Sequence, residues 1–279
     1  MVVPERRHAH GRIMRMKLKA RQRSRVPKGK IIFITGTDTG VGKTVLTALL
    51  CCHLRSAGIK VRAIKPVCCG DRADIEILRL VQPEVRNDRE INRYFFKEPI
   101  APALAAERHG RSLVLKELVK GIQEAAQGTD LLLVEGVGGL MVPLGQGFFV
   151  KDLIEKLGCD VIVVGRNKLG TINHTLLTVK PLQTCRCASI KVVLMGARMP
   201  DDSSSANAAF LSGSLAITSV YELPFLGQSL ANEARLRSIA KKNAKTLALI
   251  LDFDTFSVVL LNSGCCDGKE SLTVAKKIP

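Results

Sequence analysis

A chain of 279 residues, 46% of them hydrophobic, allows one α/β domain of generous size or two small ones and excludes a disordered or fibrous protein. Its formal charge of +17 sits largely at the start: residues 1–30 hold eleven Lys or Arg against the single acid Glu5, a net +10 that leaves +7 for the other 249 residues. No apolar run approaches the ~18 residues of a membrane span, and no apolar stretch follows the N-terminal charges as a secretory signal requires.

In chain order, residues 1–29 read as a basic extension without apolar periodicity. It is taken as solvated, or as an over-long start, since Met14 and Met16 could each begin a shorter product. An acid-poor, Arg-rich composition also fits a mitochondrial-type presequence, but only Ser24 supplies the expected serine. A nucleic-acid partner is not expected, because no nucleic-acid module is recognisable. Next comes an apolar strand, Ile31-Ile32-Phe33-Ile34-Thr35, then a Gly-rich turn and a helix from about Lys43 to Ala57. A second strand is predicted at Val61–Lys65. Further short apolar runs are Leu131–Val134, Val161–Val164 and Val192–Met195, separated by helical stretches such as Leu113–Ala126 and Val150–Leu157. Strands apolar on both faces that alternate with helices describe a parallel sheet covered on both sides. The prediction is one doubly wound, mainly parallel α/β domain of P-loop NTPase type over residues 30–256, followed by an extension of unknown role at 257–279.

Nine cysteines, with no CxxC spacing and no Cys/His ladder, argue against zinc. An odd cysteine count without an export signal is expected of a reduced, cytoplasmic chain with no membrane association.

The strongest chemical signal is Gly36-Thr37-Asp38-Thr39-Gly40-Val41-Gly42-Lys43-Thr44, placed after a buried strand and at the start of a helix, where a P-loop belongs. The glycines let backbone N–H groups face a phosphate, and the helix N-terminus adds positive potential. Lys43 would reach the β- and γ-phosphates of ATP, and Thr44 would place its hydroxyl on Mg²⁺. The loop carries one extra residue: Thr37 stands where the usual spacing needs its first glycine, and Gly36 comes one residue early. Lys65, ending the second strand in Lys65-Pro66-Val67, would point into the crevice at the carboxyl ends of the strands. Asp74 follows on the next helix. Glu135, ending the Leu131–Val134 strand and followed by Gly136-Val137-Gly138-Gly139, stands where a carboxylate holds Mg²⁺ beside a P-loop.

These segments, with Lys168-Leu169-Gly170-Thr171-Ile172-Asn173-His174, resemble dethiobiotin synthetase in order and spacing. The stretches Asn92–Pro102 and Leu223–Gly227 are similar to that family too, and Leu251–Asp254 looks like its usual chain end. The P-loop alone identifies only a superfamily; the Lys-Pro-Val, Glu-Gly-Val-Gly-Gly and Lys-Leu-Gly-Thr-Ile-Asn-His segments together are specific. The resemblance implies an ATP-dependent ligase. It would join CO₂ to 7,8-diaminononanoate, giving dethiobiotin through a carbamate and a carbamic-phosphoric anhydride, in a homodimer with the site near the subunit interface. By match, Lys43 and Lys65 would stabilise the developing charge and Thr39 would contact the reacting groups. Thr44, Asp74 and Glu135 would hold Mg²⁺. Gly40, Val41, Gly42, Lys43, Thr44, Val45, Asp74, Glu135, Gly136, Val137, Gly138, Pro224, Phe225 and Leu226 would bind ATP. Thr39, Lys65, Cys69, Gly170, Thr171, Ile172 and Asn173 would bind substrate, the last four serving the carboxylate tail of the substrate held by the other subunit. Read without the family, Asn173 could instead be a helix N-cap.

The chain departs from the family in two places. Cys69 stands where a Ser or Thr hydroxyl is usual, and Met195-Gly196-Ala197-Arg198 offers no amide to read adenine. Cys68 and Cys69, between Lys65 and Asp74, are expected to gain thiolate character from nearby positive charge. Two alternatives stay open: a partition- or switch-type P-loop ATPase, although Thr37-Asp38-Thr39 lacks the second lysine usual there, and a relative that binds without turnover. An amidotransferase of shared ancestry would need a glutaminase domain for which 279 residues leave no room.

Overall fold

The computed structural model describes residues 29–215, 218–227 and 232–252. The basic stretch 1–28 and the extension 257–279 lie outside them. Strand β1 (Lys30–Gly36) leads through the Gly-rich turn into α1 (Lys43–Ser56), then β2 (Val61–Ile64), β3 (Val67–Cys69) and α2 (Ala73–Leu80). β4 (Tyr94–Phe96), α3 (Pro102–Arg108), α4 (Leu115–Ala126) and β5 (Leu131–Glu135) follow. After the small strands β6 (Pro143–Gly145) and β7 (Phe148–Phe149) come α5 (Val150–Leu157), β8 (Asp160–Arg166), α6 (Thr171–Gln183) and β9 (Ile190–Met195). The last described elements are α7 (Asn207–Ser214), β10 (Ser219–Leu223), α8 (Glu233–Lys242) and α9 (Ala244–Leu251).

Six strands form one parallel sheet in the order β10-β9-β8-β1-β5-β2. The central strands are apolar throughout because both faces are covered. Ile32 and Ile34 of β1 join one core with Leu131, Leu133, Ile162 and Val164, under helices α1, α2, α8 and α9. Phe33, from the same strand, joins the opposite core with Leu132, Val134, Val161 and Val163, under α3 to α7. Period-two alternation thus sends successive residues into two different buried layers. This is the expected doubly wound P-loop NTPase-like fold in a single α/β domain.

Most strand ends run one or two residues past the expected ones. Lys30, counted with the basic stretch by composition, lies in β1 and pairs at 2.7 Å with the buried Asp160 that opens β8. The neighbouring carboxylate makes a lysine tolerable inside the sheet. β2 ends at Ile64, so Lys65 is the first residue beyond the strand, its backbone N–H donating to the Ile91 carbonyl. β1 lies between β8 and β5, with β2 beyond β5, so Gly36, Glu135 and Lys65 emerge side by side at the carboxyl edge.

Candidate active site

The extra residue in the phosphate loop has a steric explanation. A Cβ on Gly36 would fall 2.9 Å from Val41 Cγ2 and 3.1 Å from Lys43 Nζ, because the lysine folds back over the strand end. The glycine needed for close approach is therefore Gly36, one position early. At the other end of the loop, Gly42 caps α1 with φ 105°, a left-handed conformation that favours glycine, and the Met195 side chain sits directly against it. Lys43 is buried and donates to the Asp38 carbonyl at 2.8 Å. Burial first, and Lys65 second, bring its ammonium pKa down to about 8, against the pull of Glu135, Asp74 and Asp38. A buried ammonium with no carboxylate in ion-pair distance among the described residues is a strong attractor for a phosphate.

Behind it the remaining charges converge. Lys65 Nζ donates to Asp74 Oδ2 at 2.5 Å and to Glu135 Oε1 at 2.7 Å. The Thr44 hydroxyl lies 2.5 Å from Asp74 Oδ1 and 2.8 Å from Glu135 Oε1, and its one proton serves one of them at a time. Lys65 is 4% exposed and Glu135 fully buried. Burial lowers the Lys65 pKa, but Glu135 and Asp74 outweigh it and the net direction is upward. For Glu135 burial prevails over Lys65 and raises its pKa; for Asp74 burial is opposed by Lys65 and the direction is downward.

Glu135 Oε2 is buried without a hydrogen-bond partner among the described residues, in a set of two carboxylates and a threonine hydroxyl bordered by the Lys65 ammonium. An orphaned carboxylate oxygen in such hard-oxygen company fits a Mg²⁺ ion, which takes one or two carboxylates and completes its shell with phosphates and water.

The other expected positions fall around this centre. Thr39 lines a small cleft of about 130 Å³ together with Asp38, Arg166, Lys168, Thr171 and His174, so the loop crest and the start of α6 face one space. Gly170 caps α6; Asn173 is the exposed third residue of that helix, so the N-cap reading of Asn173 is corrected. Gly138 and Gly139 pack against Thr39 and the Gly36–Thr37 backbone. Pro224, Phe225 and Leu226 follow β10, where the Gly196 N–H donates to Leu223, at the same sheet edge as the phosphate loop.

Two residues escaped the sequence reading. Arg166 gives two hydrogen bonds, 3.1 and 2.8 Å, to the Gly40 carbonyl at the loop crest. It is a basic residue at the end of a parallel strand, the same signal that singled out Lys65. Asp38, besides holding Lys43 through its carbonyl, accepts from the Thr39 N–H through its carboxylate at 2.6 Å.

The thiolate expectation for Cys68 and Cys69 is overturned. Burial pushes both thiols up to about 11, and for neither does Lys65 offset it, because that lysine's charge is already spent on two carboxylates. Iodoacetamide at pH 7.5 should therefore alkylate Cys69 on the order of a hundredfold more slowly than a free cysteine, the rate rising about tenfold per pH unit up to pH ~10. Mass spectrometry of the modified peptide reads this; reaction at the free-cysteine rate would contradict it.

A family profile described as an AAA domain matches residues 30–233. The ATP-dependent dethiobiotin synthetase BioD of Endomicrobium trichonymphae is 38% identical over 200 residues, 70% of this chain and 93% of that protein. Its counterpart from Mycobacterium avium (strain 104) is 44% identical over 168 residues, 58% of this chain and 74% of that one. Among solved structures, the MinC:MinD cell division protein complex of Aquifex aeolicus aligns with TM-score 0.48 at 17% identity, over 86% of this chain and 99% of that one.

Proposed function

The chain belongs to the ATP-dependent dethiobiotin synthetases, ligases of biotin biosynthesis, and from that premise we propose the course of its reaction and the residues that carry it. One amine of 7,8-diaminononanoate takes up CO₂ and loses a proton, giving a carbamate. A carbamate oxygen attacks the γ-phosphorus of ATP and ADP departs, leaving a carbamic-phosphoric anhydride. The second amine attacks the carbonyl carbon, phosphate leaves with the C–O bond's electrons and takes up the proton that this amine gives up, and the ureido ring is closed.

The observation that carries this reading is that two carboxylates, Asp74 and Glu135, share both the Thr44 hydroxyl and the Lys65 ammonium, close enough to Lys43 for the two lysines to feel each other's charge. Lys43 serves the phosphates, which is all that nucleotide binding needs of a lysine. Lys65 neutralises Asp74 and Glu135 beside them, and its position suits it to hold a second anion there; a carbamate is such an anion. Mg²⁺, held by Thr44, Asp74 and Glu135, would supply charge neutralisation at the phosphates. With Thr44, Asp74 and Glu135 holding the cation, the Lys65 ammonium beside them would be available to the carbamate. The small cleft between Thr39 and Thr171 supports a substrate path along the loop crest. Gly170, Thr171, Ile172 and Asn173 would take the carboxylate tail of substrate bound to the other subunit of a homodimer. Pro224, Phe225 and Leu226 would receive the base.

The test is phosphate release with substrates omitted in turn. Release should require Mg²⁺, 7,8-diaminononanoate and bicarbonate-derived CO₂ together, with dethiobiotin detected by mass. Equal ATP hydrolysis without the diamine would instead indicate a switch-type ATPase. Nucleotide binding with no release under any mixture would indicate a relative that no longer turns over.

A further inference from the structure

Away from the phosphate loop, residues from Arg72 at the start of α2 to Phe95 in β4, together with Arg111, line an open, solvent-facing groove of about 970 Å³. Its walls carry Arg72, Arg79, Arg86, Arg89, Arg93 and Arg111. The one carboxylate among its lining residues, Asp88, is already engaged, by Arg72 at 2.6 Å and by Arg79 at 3.3 Å. Arg86, Arg89, Arg93 and Arg111 have no carboxylate within ion-pair distance among the described residues. Guanidinium groups gathered around one space repel each other, and the arrangement gains most when an anion enters.

Several of these groups are seated rather than loose. The Arg72 guanidinium lies 4.7 Å above the Phe95 ring; those of Arg93 and Arg111 lie 5.9 and 6.0 Å from the Tyr94 ring. Arg93 also rests on α4 at Gly121, where a Cβ would come within 2.8 Å of its Nη1. A glycine inside a helix is unfavourable, and here it leaves the space that the guanidinium occupies. Planar forks held in place suit phosphate oxygens, which they grip in pairs. The arginines gather around one open groove rather than forming the extended stripe that tracks a nucleic-acid backbone.

We propose that this groove is a second binding site, separate from the phosphate loop, for a small polyphosphorylated ligand. The proposal does not depend on the reaction assigned above.

The full chain is loaded with Mg²⁺ and one molar equivalent per chain of a non-hydrolysable ATP analogue to fill the phosphate loop without occupying a second site, and radiolabelled inorganic tripolyphosphate is added in equilibrium dialysis. One tripolyphosphate per chain is expected to bind, more weakly as salt is raised. The double variant Arg86→Gln/Arg89→Gln should weaken this roughly tenfold or more. It should leave the melting temperature and turnover unchanged, since both side chains are exposed. The basic N-terminal stretch is present in both proteins, so a loss reports the groove. No binding once the phosphate loop is filled, or equal binding by the variant, overturns the proposal. Arginine-dependent binding of a short single-stranded DNA without binding of tripolyphosphate assigns the surface to nucleic acid and overturns it too.

Discussion

Lys65→Gln should lower the turnover number for dethiobiotin formation by roughly 30- to 1000-fold, equivalent to ~2–4 kcal/mol in the barrier, the size of one preorganised charge contact in a water-poor site. The substitution also acts on the fold. Lys65 neutralises Glu135, which is fully buried, and Asp74, which is partly exposed. Removing one partner of a buried pair costs about 3–5 kcal/mol, on the order of 10 °C in melting temperature for a domain of this size. Without the lysine, burial drives the Glu135 pKa further upward, so the folded variant holds a proton that the unfolded chain gives up. A carboxylate whose folded pKa lies above its unfolded value contributes stability at low pH and loses it as pH rises through the folded pKa. The melting temperature of Lys65→Gln should therefore fall as pH is raised from about 5 towards neutrality, more steeply than that of the wild type. Adding Glu135→Gln to the same chain should recover stability and leave turnover low. Normal turnover of Lys65→Gln would reduce the lysine to a structural counterion and end its assignment to the carbamate.

Glu135→Gln alone should lower turnover by about a hundredfold and raise the Mg²⁺ concentration needed for half-maximal activity by roughly tenfold or more, as expected on losing one of two carboxylates around a small hard cation. Its effect on stability should be slight. The amide keeps the shape, Lys65 retains Asp74, and the cost of burying a charge with an unpartnered Oε2 disappears. Turnover as a function of Mg²⁺, measured beside the thermal unfolding of the same protein, separates the two effects. An unchanged Mg²⁺ requirement with near-normal turnover would mean that Glu135 serves only to neutralise Lys65.

The fold and the identity of its phosphate loop could be read from the chain alone, because both are local patterns. A strand buried on both faces must be apolar at every position, as Leu131–Val134 is, and a helix such as Val150–Leu157 repeats its apolar residues at helical spacing. The small strands β3, β4, β6 and β7 could not be recognised, since two or three residues are too short to show a period. The charge of Asp160 breaks the apolar run, so the sequence pattern starts that strand at Val161; only the tertiary structure brings Lys30 to Asp160. The candidate site divides the same way. Lys43, Thr44, Lys65 and Glu135 stand out by their place at a strand end or helix start, whereas Asp74 reads alone as an ordinary surface carboxylate and enters only through the family resemblance. The contact of Thr44, Lys65, Asp74 and Glu135 depends on the strand order β1-β5-β2, which brings Glu135 beside a lysine 70 residues earlier. The two cysteines show the limit of proximity along the chain: Lys65 is near in sequence, but its field is taken by Asp74 and Glu135 and burial decides the thiol pKa. Local patterning reports which atoms must leave water. Which charges then share the buried space is settled by neighbours across the sheet, and that sets each group's protonation and chemistry.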